Sequence, residues 1–217
     1  MKRGDLAWAL GAVLPHVGTT KGPYVGIEGR DGQAYVYATD TYTAGIARIP
    51  LGAVDFWNLS MSKSEAQDLM RFVRPTKKAH DTEDLTLRDL VEELHVATAE
   101  DSAVFDLVSD NVVTLDLILE VITRTAVLAA EMSGIIQQPS LAAKFAKAQR
   151  YNADRLHIYP RIGWGNISGI AVVTVGEHFI GVVNGLTYEQ SGTLESFGIP
   201  LRSSDTADKQ VIWNLAQ

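Results

Sequence analysis

Residues 60–78 read SMSKSEAQDLMRFVRPTKK. Ser62-Lys63-Ser64-Glu65 has the spacing of a capping box, in which a hydroxyl and a carboxyl satisfy the first free amides of a helix. Ala66, Leu69, Met70 and Val73 then fall on one face, while Lys63, Gln67, Arg71 and Arg74 fall on the other. Pro75 ends the helix, because its ring crowds the preceding turn and removes a donor. The stretch therefore predicts an amphipathic helix with a basic outer stripe, prolonged by Lys77 and Lys78 and opposed only by Glu65 and Asp68. Yet the chain, 217 residues long, carries a net charge of -7.

Downstream, LTLRDL, ELHVATA and AVFDLVS read as three short strands, the last two joined by a tight turn at Glu100-Asp101. The same grammar returns later. Pro139-Ser140 opens LAAKFAKAQRYN, a helical pattern with Leu141, Phe145 and Ala148 on one face and Lys144, Lys147 and Arg150 roughly opposite. RLHIYPRI, GIAVVTVG and FIGVVNGL follow as strands, with Gly176-Glu177-His178 as the last turn. Residues 62–109 and 140–185 thus form a duplicated unit of one basic helix and three strands.

The segments before the two basic helices differ. The first is preceded by a helix over residues 5–14, with Asp5 as its expected N-cap, and by the strands PYVGIEG, AYVYATD, YTAGIARIP and VDFWNLSM. Arg30-Asp31-Gly32-Gln33 is a hairpin turn. The second is preceded mainly by a helix over 114–132, with Leu115, Ile118, Leu119 and Ile122 on one face. The expected organisation is a first unit at 1–110, a shortened second unit at 111–190 and a C-terminal extension at 191–217. The extension is polar and turn-rich, with an apolar end at Val211, Ile212, Trp213 and Leu215.

Composition is that of a globular protein, with 46% hydrophobic and 21% charged residues. No apolar run is long enough to span a membrane. Asp5 and the absence of a small-residue cleavage site argue against a signal peptide at the N-terminus. The chain has no cysteine, which excludes disulfides and thiolate metal sites and fits a reducing cytoplasm.

Catalytic patterns are missing. There is no Walker A run, no G-x-S-x-G and no H-E-x-x-H. Gly163-Trp164-Gly165 reads as a turn, and His95 and His157, in matching strands of the two units, read as structural. The carboxylates between Asp81 and Glu120 lack the spacing of an EF-hand and read as a solvated face. No catalytic residue, metal or cofactor is expected.

A basic stripe on one helix can be only a solvated face. Here it recurs in both units, while carboxylates are sparse on both helices and plentiful elsewhere. Segregated charge repels itself, so it points to an anionic polymer as partner. Aromatic residues do not alternate with the bases, which disfavours stacking on single strands. No helix start offers a base-reading cluster. What remains is sequence-neutral attraction to the phosphates of duplex DNA.

The opening LAWALGAVLPHV...GPYVGIEGRDGQAYVYATDTYTAGIARI resembles the start of a DNA sliding clamp, the processivity factor of replicative polymerases. MSKSEAQDLMRFV is similar to the second helix of a clamp domain, and SLAAKFAKAQ...LHIYP...AVVTVGEHFIGVV repeats its second half. The resemblance runs in outline over residues 4–185 and is closest over 6–49. It implies an α+β fold of duplicated helix-plus-antiparallel-sheet units, with sheets outside and helices on the inner face of a ring. It implies that Lys63, Arg71, Arg74, Lys77, Lys78, Lys144, Lys147 and Arg150 face duplex DNA. It further implies a phage-type homo-oligomer in the bacterial cytoplasm, a trimer ahead of a dimer, served by a polymerase and a clamp loader and without catalytic activity. Three features depart from the pattern: the short second unit, the scarcity of bases at 5–14 and 114–132, and the lack of a traceable pocket for a polymerase tail. Two rival readings follow. One is a clamp-derived protein that binds or inhibits a host replication protein without encircling DNA. The other is a small-molecule enzyme on a duplicated α+β scaffold.

Overall fold

The computed structural model describes residues 1–19, 23–51, 57–109, 113–127, 139–160 and 168–187. Helix α1 (Arg3–Val13) leads into strands β1 (Tyr24–Arg30), β2 (Gln33–Thr39), β3 (Thr43–Pro50) and β4 (Trp57–Ser62). Helix α2 (Lys63–Val73) is followed by β5 (Thr86–Asp89), β6 (Glu93–Ala97) and β7 (Ser102–Asp106). Then come α3 (Leu115–Val127), the short α4 (Pro139–Ala142), a 3-10 helix at Ala143–Ala148, and strands β8 (Leu156–Pro160), β9 (Ser168–Val175) and β10 (Phe179–Thr187).

The strands form two antiparallel sheets. One has seven strands in the order β4-β1-β2-β3-β10-β9-β8, and the other has the order β5-β6-β7. The β1–β2 turn holds Asp31 at φ 52° and Gly32 at φ 73°, the left-handed pair that a two-residue hairpin needs to match strand twist. The large sheet runs across the expected unit boundary, because β3 pairs with β10. There Gly45 lies opposite Gly181. A Cβ on Gly45 would stand 2.7 Å from the Phe179 ring, and one on Gly181 would strike the Ala44 carbonyl. The paired glycines leave the space that the rings of Phe179, Phe145 and His16 fill.

Helices α1, α2 and the 3-10 helix lie on one face of the large sheet, with α1 between the other two. Leu6, Leu10, Val13, Leu69, Val73 and Phe145 meet Val25, Ile27, Val36, Val173 and Phe179 in one core, which also takes in Leu94, Val96 and Phe105 of the small sheet. The smaller cluster on the opposite face joins Leu115, Ile118 and Ile122 of α3 to Tyr37, Ile46, Val172 and Ile180. Helices on both faces explain why Ala171 to Val175 are buried without a break, where a half-exposed strand would alternate.

Three local expectations are corrected. The N-cap of α1 is Lys2, and Asp5 lies in the first turn, drawn to Arg150. The helix after Pro139 tightens after one turn into the 3-10 form. The helix expected at 114–132 does not join the other helices: α3 covers the opposite face of the sheet, because its apolar stripe packs on Tyr37, Ile46 and Ile180. Residues 128–132, the Gly163-Trp164-Gly165 turn and the extension beyond Thr187 lie outside the described residues.

Candidate nucleic-acid interface

α2 starts where the sequence expects it. The Ser62 Oγ accepts the Glu65 N–H at 3.2 Å. The other half of the capping box is absent, because the Glu65 carboxylate accepts the Asp106 N–H at 3.2 Å and ties β7 to the helix start. The helix ends at Val73, and Arg74 turns to extended backbone (ψ 122°) ahead of Pro75.

Arg3 closes that end, a role the sequence did not disclose. Its Nε donates to the Val73 carbonyl at 3.1 Å and its Nη2 to the Phe72 carbonyl at 3.3 Å. Its Nη1 meets the Glu83 carboxylate at 2.7 Å. The Ala99 N–H, then the Arg3 guanidinium, hold Glu83 below the usual carboxylate range against a smaller opposing effect of burial. Arg3 thus fixes the path by which the chain leaves α2, and with it the positions of Arg74, Lys77 and Lys78. The helix C-terminus is also the end where positive charge is favourable.

The expected bases fall into two groups. Arg74, Lys77, Lys78 and Lys147 are exposed, and none forms an ion pair among the described residues. Arg71 is exposed and pairs with Asp68 one turn back along α2. Lys63 is half-buried, and its Nζ reaches the Val17 carbonyl at 3.4 Å.

Lys144 and Arg150 behave differently. Lys144 is bonded to Asp40 in the β2–β3 turn and lies 3.4 Å from the Thr43 hydroxyl. Burial works to raise the Asp40 pKa, but the Lys144 ammonium and the Thr43 N–H and hydroxyl outweigh it and hold the carboxyl low. Arg150 is paired with Asp5 of α1, both side chains being 17% exposed. Its guanidinium stands 5.0 Å from the Trp8 ring centre and 5.2 Å from that of Tyr151. The Trp8 Nε1 donates to the Ala148 carbonyl at 3.3 Å, so α1 and the 3-10 helix are joined twice. The only sequence signal of these pairings was the lone carboxylates Asp5 and Asp40, whose partners lie far along the chain.

α2, α1 and the 3-10 helix form one layer, with exposed bases on its two outer members. Such a layer attracts a polyanion without reading its sequence. Among the described residues no group of His, Asp and Glu gathers as a metal site would. No described helix is long and apolar enough to cross a membrane.

No protein-family model and no curated protein matches the sequence. Solved structures do. A protein of Eubacterium rectale described as a DNA polymerase III beta subunit superposes with a TM-score of 0.63 at 9% identity, over 85% of this chain and 64% of that one. The DNA polymerase sliding clamp of Pseudomonas aeruginosa gives 0.60 at 11%, over 88% and 66%. The Helicobacter pylori beta clamp, bound to a DNA ligase peptide, gives 0.57 at 10%, over 93% and 69%. The chain therefore has the mixed helix and antiparallel-sheet fold of sliding clamps, and it spans about two thirds of their length.

Proposed function

We propose that this chain is a sliding-clamp-like processivity factor that encircles duplex DNA and tethers a replicative polymerase. The observation that supports it most is the layer of α1, α2 and the 3-10 helix, in a clamp fold, with Lys147 on the 3-10 helix and Arg74, Lys77 and Lys78 just past the end of α2 exposed and unpaired among the described residues. On this reading that layer faces the DNA, and the sheet with α3 faces outward. Lys63 and Arg71 add to the field. Lys144 and Arg150 lie at the same layer but are engaged with Asp40 and Asp5, so they act mainly by holding the 3-10 helix in place. The protein acts through topology and charge, without a catalytic step. Several copies close the ring, three before two, in the cytoplasm of a bacterial host of a phage, with a clamp loader to open it.

The test is molar mass by light scattering, with retention on circular DNA before and after linearisation. A closed oligomer that stays on the circle and runs off the linear form is expected. A strict monomer, with and without DNA, overturns the reading.

A second reading is favoured by the internal pairing of Lys144 and Arg150 and by the second unit, which among the described residues brings only β8, β9 and β10 to the large sheet. In it the chain is a clamp-derived partner of a host replication protein. A monomer that binds the purified host clamp or loader and ignores DNA supports this alternative.

A further inference from the structure

Past the 3-10 helix the chain turns back into β8. Between that turn, β8, β9 and the β9–β10 turn lies a cup of about 480 Å³. The volume is within the range of sites that hold a small ligand, roughly 300–1,000 Å³. Four rings stand on its wall. Tyr151 meets His178 edge to face, with ring centres 6.3 Å apart. His157 lies nearly parallel to Tyr159 at the same spacing. One face of Tyr151 is taken by the Arg150 guanidinium, 5.2 Å from the ring centre, yet the residue is still 52% exposed. Tyr151 follows the helical layer, whereas Tyr159 packs with the α3 cluster. The cup therefore wraps the end of the large sheet from one face towards the other.

Cations outweigh carboxylates around it. One oxygen of Asp154 is occupied in accepting the Arg150 and Tyr151 N–H groups, both at 2.8 Å. Arg155 is exposed, and its Nη1 donates to the Asn152 carbonyl at 2.9 Å and to the Asp154 carbonyl at 3.2 Å. These bonds fix its place but leave its charge uncompensated, since it forms no ion pair among the described residues. Arg48 of β3 reaches the Glu177 carbonyl at 3.2 Å. Burial, then the Arg150 and Arg48 charges, lower the His178 pKa below the usual imidazole value, while Glu177 and Asp154 pull less strongly the other way. His178 is thus a neutral ring in a positive surrounding.

Flat rings beside an uncompensated guanidinium suit a ligand that is itself flat and anionic, as a nucleotide is. In a duplex the base faces are covered by their neighbours, so only an unpaired base can stack there. The two basic helices carry no interleaved aromatic residues, but the fold brings rings from β8 and the β9–β10 turn to the end of the layer that bears Lys147.

We propose that this cup binds an unpaired nucleotide of a single DNA strand, its base stacked on Tyr151 and its phosphate held by Arg155. The inference goes beyond the reading as a clamp and needs no closed ring, because the cup lies beside the helical layer and not on it. On that reading it takes the unpaired strand where the duplex ends.

The test is fluorescence anisotropy of labelled oligo(dT) with the full chain at low salt. Tyr151→Ala is expected to weaken binding about 5- to 100-fold, the loss of one base stack, and Tyr151→Phe to retain it. Arg155→Ala should weaken binding and make the slope of log affinity against log salt shallower by about 0.7. Both residues are exposed, so Tm should hold. A strand carrying 5-bromodeoxyuridine, cross-linked by ultraviolet light and mapped by mass spectrometry, should attach at Tyr151 or His178. The proposal is overturned by absence of binding to the wild-type chain, by equal binding to Tyr151→Ala, by loss of binding in Tyr151→Phe, or by cross-links that miss the cup. The two readings fail separately. A monomer that never stays on circular duplex but binds oligo(dT) through Tyr151 removes the ring alone. A ring that stays on the circle but binds oligo(dT) no better than its Tyr151→Ala variant removes the cup alone.

Discussion

His16 is fully buried, and neither of its ring nitrogens has a hydrogen-bond partner among the described residues. It packs 4.7 Å from the Phe145 ring and 5.8 Å from Phe179, centre to centre. Burial, then the nearby Lys144 charge, drive its pKa from 6.5 down to about 3, with Asp40 pulling weakly the other way. The unfolded chain therefore binds a proton below pH 6.5 that the folded chain refuses until about pH 3. Stability falls as pH drops through that window, by on the order of a few kcal/mol. His16→Leu is expected to flatten this slope, read as Tm from pH 7 to pH 4. A variant with the wild-type slope would show that the acid sensitivity lies elsewhere. Asp40, whose pKa is held low, loses its contribution only at more acid pH, below its unfolded value of 3.8, so the two effects separate. Arg3 is the other decisive residue. Arg3→Met takes a donor from Glu83, which keeps the Ala99 N–H, and from the Val73 and Phe72 carbonyls, and is expected to lower the midpoint of urea unfolding.

Among the elements, α2 was legible because capping and period are local. Ser62→Ala should cost about 1 kcal/mol and leave the fold intact. The second basic helix was less so. Its bases and apolar face were readable, but neither the tightening into a 3-10 helix nor the seating of Phe145 beside Gly181 was. α3 shows the limit most clearly. Its stripe of Leu115, Ile118 and Ile122 announced an amphipathic helix, yet a stripe does not say which apolar surface it will cover. Ile118→Ala should lower stability by about 3 kcal/mol through the cavity it leaves. On the proposed reading it spares DNA retention, because α3 lies on the face away from the basic helices. Loss of retention at unchanged oligomer mass would place α3 in the interface instead.

For the molecule as a whole, the two groups of bases predict two outcomes. Charge reversal at Arg74, Lys77, Lys78 and Lys147 should abolish retention on circular DNA with Tm unchanged, since these groups are exposed and unpaired among the described residues. Reversal at Lys144 and Arg150 should lower Tm, because each leaves a half-buried carboxylate facing a like charge. Neutralising the exposed bases one at a time should make the slope of log affinity against log salt shallower by about 0.9 for each phosphate no longer engaged. If both sets lower Tm alike and neither changes retention, the basic layer is structural. The sequence by itself determined the local order: the capped basic helix, the Asp31-Gly32 hairpin and the short strands all follow from spacings within a few residues. The tertiary structure alone decided that Lys144 meets Asp40, 104 residues away, and that Arg150 meets Asp5, 145 residues away. It alone carried the sheet from β3 into β10 and sent α3 to the opposite face. The physical reason is that dihedral preferences and amphipathic period act along the chain, whereas charge pairing and the choice of buried surface depend on distances in space that no local spacing encodes.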